Sequence, residues 1–155
     1  MIPEFVIVPG ALWPLLPPGI HDASWSDIYQ RYGLTPWRIE LLDGLKNGLD
    51  HLFTLGCPQV FLDGSFVTAK PKPNDYEVVW DPRFVDPYKI DPVFLDFSTG
   101  TKSQKAKYMG EYFPSTYVEA NSGRPFIEFF QTDTDSGQRK GIIRVLNFLS
   151  KGGAI

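Results

Sequence analysis

The chain has 155 residues, the length of one domain, which excludes an enzyme built from separate cofactor and substrate halves. Hydrophobic residues make up 43% and charged residues 21%, so wholesale disorder, collagen-like repetition and a coiled coil are excluded too. Fifteen Lys and Arg against 18 Asp and Glu leave a formal charge of -3, which argues against a broad basic surface for duplex nucleic acid. Any bound anion has to be met by a few local cations.

A lone cysteine, Cys57, excludes an internal disulfide framework and a multi-cysteine zinc site, and fits a reducing cytoplasm. The apolar N-terminal stretch is broken by Pro9, Pro14, Pro17 and Pro18 and has no basic leader, so neither a signal peptide nor a membrane span is expected. Prolines and glycines are spread without a repeat or a low-complexity run. The expectation is a single domain over 1–155, in which 1–34 forms a packing segment with a short helix and 35–155 forms the core.

In chain order, Glu4 to Val8 reads as a short edge strand, and the proline-rich Leu15 to Gly19 as an extended segment over the core. Ser24 and Asp27 have the spacing of a capping box and open a short helix through Ile28 and Tyr32, ended by Gly33. Thr35 is an N-cap with Pro36 at the first helical position. Ile39, Leu42, Leu45, Leu49, Leu52 and Phe53 then share one helical stripe, stopped by Gly56 and Pro58. Val60 to Leu62 and Tyr76 to Trp80 read as buried strands on either side of a proline-marked loop. Ser103 to Lys107 has good helix formers, and Glu111 to Phe113 follows as a third short strand. The period of Phe126 to Phe130 does not decide between strand and helix. Thr132 to Gly137 is a turn, and β-branched Ile142, Ile143 and Val145 favour an extended start to the tail. The fold class expected is α/β, a small mixed sheet with helices packed against it.

The chemistry concentrates between Val60 and Val79. Asp75 and Glu77 are two apart in a strand and therefore project from one face, while Tyr76 and Val78 point into packing. Adjacent carboxylates repel unless a cation lies between them, and hard oxygen ligands suit Mg²⁺ or Mn²⁺. Gly64 permits a sharp turn close to a ligand, and Ser65 adds a hydroxyl beside free backbone N–H groups, an arrangement that receives phosphate. Lys70 and Lys72 lie on the connecting loop and can add charge near a triphosphate, although their proline neighbours fit a plain solvated loop better.

Gly64-Ser65, a spacer and Asp75-x-Glu77 within an apolar strand resemble the signature of the DNA polymerase β-like nucleotidyltransferase superfamily, in its minimal form. The segments Leu16 to His21, Leu62 to Thr68 and Gly110 to Pro114 are also similar to a group of small bacterial and phage-type proteins. The superfamily resemblance implies transfer of a nucleoside monophosphate from a nucleoside triphosphate to a hydroxyl acceptor. It implies that Gly64 and Ser65 hold the β and γ phosphates and that Asp75 and Glu77 ligate Mg²⁺ or Mn²⁺. A third carboxylate on the next core strand is implied as well. Glu111 is the choice, with Asp96 as the runner-up. Glu stands at 77 and 111, where Asp is commoner in that superfamily.

Other polar features have plainer readings. Asp133-x-Asp135 before Gly137 lacks the terminal Glu of a calcium loop and reads as a turn. His21, His51 and Cys57 read as packing or surface residues. Two alternatives to the enzyme stand beside it: a binding module that keeps the fold without turnover and pairs with a small helical protein, as in toxin–antitoxin systems, and a phage or prophage accessory.

Overall fold

A computed structural model describes residues 1–149. Its elements in chain order are β1 (Gly19–Ala23), α1 (Trp25–Tyr32), α2 (Pro36–Thr54), β2 (Val60–Asp63), β3 (Tyr76–Trp80), α3 (Lys102–Tyr108), β4 (Gly110–Pro114), α4 (Phe126–Phe129) and β5 (Gly141–Val145). Short 3-10 turns lie at Ser65–Val67 and Pro92–Leu95.

The helix starts follow their caps. The Ser24 hydroxyl accepts from the Asp27 N–H, and the Asp27 carboxylate accepts from the Ser24 N–H, which closes the capping box of α1. Thr35 accepts from the Arg38 N–H, and Pro36 occupies the first turn of α2. Of the expected apolar stripe of α2, Leu42, Leu45, Leu49, Leu52 and Phe53 are buried, whereas Ile39 is half-buried and Leu41 is buried beside the stripe.

The five strands form one mixed sheet in the order β1-β5-β2-β3-β4. β2 pairs antiparallel with both β3 and β5, whereas β1 with β5 and β3 with β4 are parallel. The α/β class is therefore the observed one. Its two faces differ. Val60, Leu62, Tyr76, Val78, Trp80, Tyr112 and Ile143 pack into the main core with α1 and α2. The opposite face carries Phe61, Val79 and Ile142, covered by Phe126, Ile127 and Phe130 from the α4 segment.

Two local expectations change. Residues 4–8 form only an isolated bridge, Val6 to Leu15, because the prolines at 9 and 14 leave too few paired N–H groups for a ladder. The strand of this region comes later, at β1, where the exposed Asp22 meets Arg144 across the parallel pair. The segment 1–34 is thus part of the sheet and the main core rather than an added wrapping. Phe126–Phe129, whose period left strand and helix open, resolves as a single helical turn, and the tail is extended over Gly141–Val145 as its β-branched residues predict.

Candidate metal and phosphate site

The strand register builds the site. Asp63 of β2 lies opposite Glu77 of β3, and Glu77 lies opposite Glu111 of β4, so these three acids share one face in a row across the sheet. Asp75 precedes Glu77 by two residues and projects to the same side. Ligand oxygens from Asp75, Glu77 and Glu111 all lie within 4.8 Å of one another. Glu111 is therefore the third acid of the group. Asp96 is elsewhere, bonded to Ser98 and Ser103 at the start of α3, because the turn before that helix needs a side-chain acceptor.

Gly64 sits at the end of β2 with φ +84°, a conformation that L side chains rarely adopt. A Cβ at this position would collide with the Glu77 carboxylate, so the glycine also makes room for that acid. Ser65 opens the following 3-10 turn, and its carbonyl accepts from both the N–H and the hydroxyl of Thr68. The loop is held from behind by Arg38 of α2. Its guanidinium donates to the carbonyls of Phe66 (2.9 Å), Thr68 (3.4 Å) and Lys70 (2.6 Å) and lies over the rings of Phe66 and Tyr32. Tyr32 donates to the Val67 carbonyl, and Trp37 to that of Pro73. The last turn of α1 and the first turn of α2 thus lock the connection between the glycine turn and the acidic strand.

A cleft of about 310 Å³ opens beside this turn. Gly64, Ser65, Glu77, Lys70 and Lys140 line one part of it, and Trp13 another. Asp133 and Asp135 also border it, and the Asp133 carboxylate accepts from the N–H and hydroxyl of Ser136, as expected of a turn. Lys72 does not reach the cleft. Its ammonium lies 5.7 Å from the centre of the Trp37 ring, because the prolines at 71 and 73 turn it toward α2.

The electrostatics set this cluster apart from an ordinary surface. Burial, with the charges of Asp75 and Glu111 added, pushes Glu77 up to about 8. Burial raises Asp63 well above the usual carboxylate range, and the neighbouring Glu77 adds to it. Asp75 is also raised by burial, against the pull of its bond to Lys105. Both oxygens of Asp63 and Oε2 of Glu77 are buried without a hydrogen-bond partner. The converging acids offer oxygen ligands only, with Glu77 Oε2 unpartnered and the orphaned Asp63 beside it, a donor set that fits a hard divalent cation and no soft one.

Four residues with no role assigned from the sequence belong to this region: Asp63, Lys105, Lys140 and Arg38. For Asp63 a signal was present, since an acid that ends an apolar strand two residues beyond Phe61 falls on the same face as Glu77 once the strands pair. Lys140 precedes Ile142 by two and inherits its face from the β2–β5 register, which local sequence does not encode. Arg38 and Lys105 sit in helices whose orientation is fixed only by packing.

Residues 12–146, a span that includes every strand of the sheet, match the model of a family of unknown function (DUF6932). No curated protein and no solved structure matches the chain. Among the described residues, no helix is long and apolar enough to cross a membrane.

Proposed function

We propose that this chain, which belongs to the DUF6932 family, is an Mg²⁺- or Mn²⁺-dependent nucleotidyltransferase. It would move a nucleoside monophosphate from a nucleoside triphosphate to a hydroxyl acceptor. The observation that carries the reading is the convergence of Asp75, Glu77 and Glu111 within 4.8 Å, one strand away from the Gly64 turn and its cleft. The resemblance of Gly64-Ser65 and Asp75-x-Glu77 to the nucleotidyltransferase signature agrees with that placement.

Asp75, Glu77 and Glu111 would hold the divalent ion, which supplies charge neutralisation at the transferred phosphate and its leaving group. The Gly64 backbone and the Ser65 hydroxyl bind the β and γ phosphates, with Lys70 and Lys140 on the same cleft wall to balance their charge. The acceptor oxygen forms a bond to the α phosphorus, the bond to the bridging oxygen breaks, and pyrophosphate leaves. Glu111, steadied by the Thr101 hydroxyl at 2.5 Å, would receive the acceptor's proton. Positioning and charge neutralisation are most of what phosphoryl transfer requires, and a fold of this size can supply both. A cytoplasmic setting, rich in nucleoside triphosphates, agrees with the single reduced thiol.

The test is transfer of label from α-phosphate-labelled nucleoside triphosphates with Mg²⁺ or Mn²⁺, read on the protein itself and on added RNA and small-molecule acceptors. Transfer that disappears in Asp75→Asn supports the enzyme. Nucleotide binding without transfer, together with co-purification of a small helical protein, would replace it with a binding module. Absence of calorimetric heat with every common nucleoside triphosphate would overturn both.

A further inference from the structure

Lys105 stands against the acidic centre from α3. Its ammonium lies 3.1 Å from Asp75 Oδ2 and 3.9 Å from Glu111 Oε2. These are two of the three residues whose oxygens converge within 4.8 Å. The contact offsets one of the two charges on Asp75 and Glu111 and leaves Glu77 Oε2 and both oxygens of Asp63 without partners, and Asp63 is fully buried. The orphaned oxygens of Asp63, a residue outside the three-acid cluster, point independently of it to a further positive ligand that the ammonium does not replace.

An ammonium and a divalent ion compete for the same two carboxylates at this range, since like charges a few ångströms apart repel strongly outside bulk water. The lysine is the partner able to leave. Its side chain is 46% exposed, on a helix of seven residues, and its four-carbon stem is flexible and easily rehydrated. Glu111 keeps a second anchor when the lysine leaves, because Thr101 donates to the same carboxylate oxygen.

We propose that Lys105 is the resident counter-cation of this centre, holding Asp75 and Glu111 when no metal is present and displaced when a divalent ion enters. The inference rests on reading the three acids as a metal site. Metal affinity in this chain is therefore set against a built-in competitor, and Lys105 is a positioning residue of the metal-free state.

Calorimetric titration with MnCl₂, alongside thermal unfolding with and without Mn²⁺, tests this on the whole chain as wild type, Lys105→Met and Lys105→Arg. The expected result is Mn²⁺ binding about fivefold to tenfold tighter in Lys105→Met, with wild-type-like affinity in Lys105→Arg. Lys105→Met should also melt lower than wild type without metal and level with it when saturated. Equal or weaker Mn²⁺ binding in Lys105→Met would overturn the counter-cation while leaving the metal site intact. No Mn²⁺ binding by any of the three proteins would overturn the metal site itself, and the counter-cation with it. Should Lys105→Met not fold, Lys105→Gln takes its place with the same expectations.

Discussion

Neighbouring residues of β3 and β4 lead to two very different polar environments. On the helix side, the Tyr76 hydroxyl bonds to the Tyr108 carbonyl at 2.7 Å and to the Tyr112 hydroxyl at 2.6 Å, beneath Gly48 of α2. The Gln104 side chain meets both the N–H and the carbonyl of Tyr112, completing the outer edge of β4 as a further strand would. Every hydroxyl of that tyrosine group has a partner. One residue along, on the other face, half-buried Glu77 and buried Asp63 carry buried oxygens that have none. A satisfied buried network rigidifies the sheet, whereas an unsatisfied one costs stability and is kept where a ligand completes it. The tyrosine side holds β3 and β4 in register, and the acidic side uses that register.

The contrast can be broken from either side. The largest effect belongs to the core that supports both: Leu45→Ala, in the middle of the α2 stripe, should cost about 3 kcal/mol in urea unfolding. Next comes the acidic face, where the sign depends on pH. Glu77 and Asp63 retain in the folded protein a proton that the unfolded chain has released, so stability of the metal-free protein falls as pH rises from 4.5 to about 8. Urea titrations across that window should show the fall. Saturating Mn²⁺ should flatten it, and Asp63→Asn should recover about 1–2 kcal/mol at pH 8 and little at pH 5. A curve flat in pH without metal would show that the orphaned acids carry no such penalty. On the tyrosine side, Tyr112→Phe should cost about 1 kcal/mol at every pH and leave Mn²⁺ affinity unchanged. The smallest effect is that of Lys72→Ala, about 0.5 kcal/mol or less, because this side chain rests on Trp37 at the surface. Its nucleotide binding should match wild type, whereas Lys140→Ala should weaken it, as read by calorimetry.

Much of this arrangement was legible in the chain. The caps of α1 and α2, the leucine stripe and the two apolar strands are local patterns, and local patterns are set by backbone hydrogen bonding and side-chain period. The i, i+2 spacing of Asp75 and Glu77 placed both acids on one face before any strand was paired. The edge strand read over residues 4–8 fell short for a tertiary reason. β1 at 19–23 looks polar and irregular by itself and becomes a strand only because β5, more than a hundred residues later, offers it a partner.

By itself, then, the sequence determined the α/β class, the site's glycine turn and its first pair of carboxylates, all of which follow from neighbours a few residues apart. Only the tertiary structure brought Glu111, which the family resemblance had put ahead of Asp96, up to that pair, added Asp63 and Lys140, removed Lys72 and set Lys105 against the acids. Strand register and helix packing bring together groups far apart in the chain, and no local period carries that information.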